Sequence, residues 1–287
     1  MSDDRDLQFE VAQTILRGAD QHGFVLAGSG AIREHGIVDR LTRDVDLFTN
    51  RYDAAEFDRA VTEARSVLAD AGYVVEERRR AEYFAHLNVT APDGRQVDVD
   101  FAYDWRGAEP ARLQVGPVLS ADDAVASKTN AVYTRLEARD FIDLDAIRSS
   151  GRYTDEELLR LVADRDDGFD RAMFAQQLQQ VDRIRDDRFA AYGLDSDAAA
   201  AMRTRTTRWA AELAEGGEPP APTSLPAATR TTTLAAIRGH REPEVQARRD
   251  SWEQAHGRPM RSGSGASTPA RDLRQSPTSP REVDRER

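Results

Sequence analysis

Cysteine is absent from the 287-residue sequence. That excludes disulfides and thiolate metal centres, and nothing in cysteine usage speaks for secretion. Histidine is scarce, and its five residues show no ligand spacing, so a zinc enzyme is not expected. Long apolar runs are missing as well. With no run of ~18 apolar residues and an acidic, polar opening, MSDDRDLQFE, neither a membrane span nor a signal peptide is expected, and the cytoplasm is the expected compartment. Lysine is nearly absent: of 40 basic residues 39 are arginine, and the only lysine is Lys128.

Positive charge is also in short supply, because the formal net charge is −11. Residues 1–120 carry 22 acids and 14 bases, residues 121–215 carry 20 and 14, and residues 216–287 carry 9 and 12. A body this acidic is a poor non-specific nucleic-acid binder, since that affinity comes from neutralising phosphates. Any nucleic-acid partner must be held by a local patch. Arg78-Arg79-Arg80 is the one dense basic cluster in the body, either a solvated turn or a contact for a phosphate backbone. The length is ample for a core and for one or two domains.

The informative stretch runs from Phe24 to Phe48, FVLAGSGAIREHGIVDRLTRDVDLF. It reads as strand, tight Gly-Ser turn, short helix, loop and strand. In the second strand Val45 and Leu47 share one face, while Asp44 and Asp46 share the other, because strand side chains repeat every two residues. Two carboxylates projecting side by side repel unless something neutralises them, and hard divalent cations suit oxygen ligands. The turn at Gly28-Ser29-Gly30 offers free N–H groups and a hydroxyl, which suits phosphate. A phosphate cradle beside a metal dyad suggests a nucleotide site; the bland alternative is a βαβ turn followed by a strand with solvated aspartates.

Elsewhere, apolar spacing predicts helices over residues 5–19 and 53–71, a strand at 73–76, and a hairpin of strands 83–90 and 95–103 turning at Pro92-Asp93-Gly94. The segment RQVDVDFAY repeats the alternation, with Asp98 and Asp100 on one face. From Ser120, which reads as a helix cap, the texture becomes helical. Lys128 and Asp143 lie 15 positions apart, roughly 22 Å along an unbroken helix. They can share a ligand only if the helix breaks near residues 136–139. Helices are expected at 154–164, 169–184 and 196–213, with a turn at 192–197. Arg203, Arg205 and Arg208 form either a basic ridge or, more simply, a solvated helix face. Beyond Glu215 a Pro- and Ala-rich linker begins; a short helix is possible at 242–256, and the end should be disordered.

Gly-Ser, a short helix and then T-R-D-V-D resembles the DNA polymerase β-like nucleotidyltransferase fold. Its spelling is similar to the AbiEii/MenT branch, the toxin side of type IV toxin–antitoxin systems. A second stretch, K-x6-R followed by R-D-F-I-D-L, resembles the same branch. The resemblance covers roughly residues 5–215. It implies an α/β (α+β) fold: a nucleotidyltransferase domain with a mixed, mostly antiparallel sheet over 1–119, a helical domain over 120–215 and a tail over 216–287. It implies transfer of a nucleoside monophosphate from an NTP to an acceptor hydroxyl, with the tRNA 3′ end as acceptor and an antitoxin as partner.

By the same resemblance, Asp44 and Asp46 hold two Mg²⁺ ions, and a third acid on a neighbouring strand completes the set. The family's habit favours Asp98 over Asp100. Gly28 and Ser29 seat phosphate, with Thr42 and Arg43 nearby. Lys128 contacts the phosphates and Asp143 orients it or the acceptor. An aminoglycoside-type small-molecule nucleotidyltransferase is the alternative enzyme, mildly favoured by the acidic body. A non-catalytic nucleotide- or partner-binding member would need a missing acid, and none is missing.

Overall fold

The structure, a computed structural model, describes residues 2–38, 40, 42 and 44–215. An amphipathic helix, α1 (Ser2–Ala19), buries Leu7, Val11, Ile15 and Leu16, and leads into the short strand β1 (Val25–Leu26). The seven-residue helix α2 (Gly28–Glu34) follows directly. Then come β2 (Asp44–Thr49), α3 (Ala54–Asp70), β3 (Val74–Ala81), β4 (Phe84–Thr90) and β5 (Gln96–Tyr103). Two further short strands, β6 (Ala111–Leu113) and β7 (Gly116–Val118), complete one seven-stranded sheet in the order β3-β4-β5-β2-β1-β7-β6. The fold is therefore a mixed α/β sheet with helices, as the resemblance implies.

Pairing is antiparallel at β3–β4, β4–β5, β1–β2 and β6–β7, and parallel at β2–β5 and β1–β7. The β4–β5 hairpin turns where expected: Gly94, at φ 87°, supplies the left-handed residue, and its N–H donates to Ala91 O at 2.9 Å. Strand alternation sorts the faces. Leu87, Val89, Val97, Val99 and Phe101 are buried on one side, where Phe101, Phe24 and Phe57 pack ring to ring, with centroids 5.4 and 5.6 Å apart. Phe57 comes from α3, which Asp53 caps by accepting from the Glu56 N–H, so α3 covers that face. The aspartates of β2 and β5 point to the other.

The remainder is helical: α4 (Ala121–Thr134), α5 (Ala138–Ser149), α6 (Asp155–Arg165), α7 (Arg171–Gln179), α8 (Asp186–Ala190) and α9 (Ser196–Glu215). Ser120 caps α4 as expected, its hydroxyl accepting from the Asp123 N–H. Thr154 and Glu157 form a full capping box on α6. The expected helix at 169–184 is shorter than its periodicity suggests, ending at Gln179 and tightening into a 3₁₀ turn. Among the described residues no helix is long and apolar enough to cross a membrane. The linker and tail over 216–287, and the helix expected at 242–256, lie outside the described residues.

Candidate active site

The break between α4 and α5 falls where the Lys128–Asp143 spacing requires it. Leu136 takes φ 56°, rare for a residue with a side chain. Arg135 clamps the turn by donating two 2.7 Å hydrogen bonds to the fully buried Asp140. The arginine of the K-x6-R stretch thus braces the bend that folds α5 back.

Folding back brings Lys128 and Asp143 onto the start of α2. Lys128 Nζ donates to Ser29 Oγ at 2.7 Å and lies 2.9 Å from Asp143 Oδ2. Ser29 Oγ donates to Asp143 Oδ2 at 2.9 Å and accepts from Arg40 Nη2 at 2.7 Å. Arg40 also grips Asp143 through Nε at 2.5 Å and Nη2 at 2.9 Å. The Ser29 hydroxyl thus uses its donor and both acceptor sites. Lys128 is 5% exposed and Asp143 0%, so the pair lies inside the fold. Burial alone would push the Asp143 carboxyl up. The Lys128 charge, then the Arg40 hydrogen bond and charge, outweigh it and hold the group down at about 2. No sequence signal marks Arg40, which lies outside any helix or strand.

On the other side of Gly28 lie the acids. Gly28 has φ 56°, and a Cβ there would stand 1.7 Å from Asp46 Oδ2, so only glycine lets the turn approach the dyad. Parallel pairing sets Asp44 level with Asp98 and Asp46 level with Asp100. All four carboxylates share the open face. Asp46 is pushed up to about 7, first by burial, then by the neighbouring Asp44 charge, with Lys128 pulling the other way and Asp100 adding to the rise. Asp100 is likewise raised by burial, opposed by a hydrogen bond with His86 (Nδ1 to Oδ1 2.6 Å). Asp98 accepts from Asn88 Nδ2 at 2.9 Å. Arg139, at 3.6 Å from Asp44 Oδ2, supplies a counter-charge that sequence reading missed.

Of the expected nucleotide contacts, Thr42 is buried, its hydroxyl donating to Gln8 Oε1 at 2.8 Å while its carbonyl accepts from Gln8 Nε2 at 2.7 Å. Arg43 lies outside the described residues. Arg205 pairs with Asp145 at 2.7 Å, and Arg203, half-buried, pairs with Asp186 at 2.6 Å and lies 5.0 Å from the Phe189 ring centroid. Arg80 pairs with Glu77 and Asp58 on the α3 side. A separate cavity lined by His35, Asp122, Arg152 and Tyr153 lies away from the acids, and its groups are occupied: Tyr153 donates to Asp122 and Arg152 to the His35 carbonyl.

Among the described residues no group of three or more metal-ligating side chains is arranged to hold an ion by itself. Mg²⁺ does not need one, because it is commonly bound through one or two carboxylates together with substrate phosphates and water. The donor chemistry fits. Asp46 is an all-oxygen ligand whose charge is unfavourable beside Asp44, a conflict that a divalent cation relieves.

Two solved structures share this architecture. A nucleotidyltransferase-like protein of Helicobacter pylori is 14% identical with TM-score 0.51, covering 75% of this chain and 96% of its own. MenT4, a nucleotidyltransferase toxin of Mycobacterium tuberculosis, is 20% identical with TM-score 0.50, covering 75% and 85%. Both likenesses speak to the fold. No curated protein matches the chain. The family model described as nucleotidyl transferase AbiEii toxin, type IV toxin–antitoxin system, matches residues 12–248, reaching past the boundary expected at 216. With that match over most of its length, the chain belongs to the AbiEii family of nucleotidyltransferase toxins.

Proposed function

We propose that this nucleotidyltransferase moves a nucleoside monophosphate from an NTP to a hydroxyl at the 3′ end of tRNA, with Mg²⁺, and that an antitoxin counters the resulting growth inhibition. The observation that carries the reading is the meeting, across Gly28, of the Ser29–Lys128–Asp143–Arg40 cluster and the acids of β2 and β5.

The Gly28-Ser29 turn receives the β- and γ-phosphates. Lys128, aimed by Asp143 and Arg40, counters the charge that grows on the leaving pyrophosphate. Asp44 and Asp46 are the residues to hold Mg²⁺. When bound, the metal would neutralise phosphate charge and acidify the attacking hydroxyl. A bond forms between the acceptor oxygen and the α-phosphorus as the α–β bridge breaks, and the acceptor proton passes to a carboxylate. Sequence reasoning preferred Asp98, which is level with Asp44, as third acid; in this proposal Asp100, level with Asp46 and hydrogen-bonded to His86, shares that role with it.

Incubating the full chain with each labelled NTP, Mg²⁺, total tRNA and an aminoglycoside panel tests this directly. Label is expected on tRNA, and its loss is expected in Asp44→Ala and Asp46→Ala. Label on an aminoglycoside alone would reassign the acceptor. No label on any acceptor would refute the reading.

A further inference from the structure

The open face of the sheet carries more than the acids. β3 is an edge strand, and its register with β4 slips by one residue between Glu77 and Arg79. Glu77 pairs with Leu87 on the helix-covered face, yet Arg79 pairs with His86 on the open face, with Arg78 as the extra residue. A bulge of this kind re-aims side chains. Arg80 returns to the α3 side.

The pairings line up in rows across the strands. One row is Arg79, His86, Asp100 and Asp46. The next is apolar: Ala81, Phe84, Ala102 and Phe48. Alternation leaves the open-face residues of β4 half-buried while Ala85, Leu87 and Val89 are fully buried. The Arg79 guanidinium lies 5.6 Å from the Phe84 ring centroid. Arg78 is ion-paired with Glu76 through an exposed contact, which costs little to exchange. Three strand spacings of about 4.8 Å put the Arg79 backbone ~14 Å from that of Asp46.

We propose that this face is the seat of the acceptor strand: the single-stranded 3′ end of an RNA crosses from the β3 edge towards Asp100 and Asp46, a phosphate on Arg78 and Arg79, a base against Phe84. The inference rests on the polynucleotide acceptor proposed above. Charge complementarity favours this occupant. In an acidic body an anionic strand must be held by a local patch, and the bulge supplies one by setting guanidinium groups at the approach to the acids. The row is also continuous with the reacting carboxylates. Aromatic stacking beside arginine is how single strands are held without base-specific contacts.

The test uses the full chain, a 5′-fluorescein single-stranded oligoribonucleotide read by anisotropy, and transfer to total tRNA. Phe84→Leu, which keeps apolar volume and removes the ring, is expected to weaken RNA binding roughly tenfold. Arg78→Ala/Arg79→Ala is expected to lower the slope of log affinity against log salt by about 0.7 for each phosphate left without its guanidinium, and Arg79→Lys should restore part of it. NTP affinity by calorimetry should stay at the wild-type value, melting temperature should show the variants folded, and Arg208→Ala on α9 should leave the slope unchanged. Wild-type RNA affinity, salt slope and tRNA labelling in the folded variants would overturn the proposal while leaving the nucleotidyltransferase reading intact. Label confined to aminoglycosides would overturn it too. RNA binding that tightens on removal of residues 216–287 and ignores these side chains would assign the face to the chain's own C-terminal segment, against the proposal. No NTP binding and no transfer at all would remove the reading on which it rests.

Discussion

Replacing Asp46 with asparagine should stabilise the protein while abolishing its activity. Folding brings Asp46 beside Asp44 and Asp100 and against the Gly28 backbone, raising its carboxyl from the ordinary 3.8 to about 7. At ~1.4 kcal/mol per unit, the full shift corresponds to ~4 kcal/mol of opposition to folding when the group is charged. Solvent reaches the carboxyl from the open face of the sheet, so about 2 kcal/mol is the figure to expect. The sign follows from the direction. A carboxyl raised in the folded state contributes nothing below about pH 4, where both states are protonated. Its penalty grows as pH rises towards 7 and is constant above. In EDTA, urea unfolding followed by circular dichroism should therefore find Asp46→Asn and wild type equal near pH 4, with the variant ahead by about 2 kcal/mol at pH 8. Mg²⁺ should narrow the difference by binding the folded wild type, and labelled-NTP transfer by the variant should be undetectable. A variant no more stable than wild type at pH 8 in EDTA would refute the electrostatic account of the dyad.

Three further outcomes test the other side of the site. Gly28→Ala should cost about 1–2 kcal/mol from the left-handed backbone alone, measured by urea unfolding, and should drive the Asp46 carboxylate away with at least a hundredfold loss of transfer. Lys128→Arg keeps the charge but places a second planar guanidinium where Arg40 already grips Asp143. Overpacking of about 1–3 kcal/mol and a misplacement of about 1 Å, enough for a hundredfold loss of rate, are expected; full activity would return Lys128 to a structural role. Asp143, held down at about 2, contributes stability that is present above pH ~4 and lost as pH falls towards 2, on the order of 2 kcal/mol. Asp143→Asn should erase that window while destabilising the protein at pH 7 by leaving Arg40 and Lys128 without their carboxylate.

What the sequence made legible follows periodicity. The two-residue alternation in DVDLF and VDVDF placed each pair of aspartates on one face of its strand before any pairing was known, and the fifteen-residue gap between Lys128 and Asp143 forced a helix break. Where periodicity is silent, the reading stopped. Asp98 and Asp100 share a face, so alternation cannot choose between them; the register that sets Asp98 level with Asp44 and Asp100 level with Asp46 is not written in either strand alone. Arg40 acts from outside any helix or strand. Arg79 reaches the open face through a one-residue slip that strict alternation would assign to the other side. The strands β6 and β7, three residues each, are too short to show a period at all.

The two halves of the site are opposite in sign, and that has a consequence for ligand order. Arg40 and Lys128 against Asp143 leave a net positive end at Ser29, while Asp44, Asp46 and Asp100 leave a negative end that Arg139, 3.6 Å from Asp44, offsets in part. Gly28, having no side chain, lets the two ends stand together. A triphosphate alone satisfies the positive end and repels the acids; a cation alone satisfies the acids and repels Lys128. A triphosphate carrying Mg²⁺ meets both demands at once, so nucleotide and metal should bind with positive coupling, and by linkage each should strengthen the other by the same factor. A coupling of about 1–3 kcal/mol, five- to 150-fold, is the usual range. Calorimetric titration of NTP with and without Mg²⁺, and of Mg²⁺ with and without NTP, should return equal factors after correction for the Mg–NTP complex in solution. In Asp46→Asn the metal's effect on nucleotide affinity should fall sharply, because one acid has gone. Nucleotide affinity that ignores Mg²⁺ in the wild type would mean that the two ends do not share a ligand, and the arrangement around Gly28 would need another explanation.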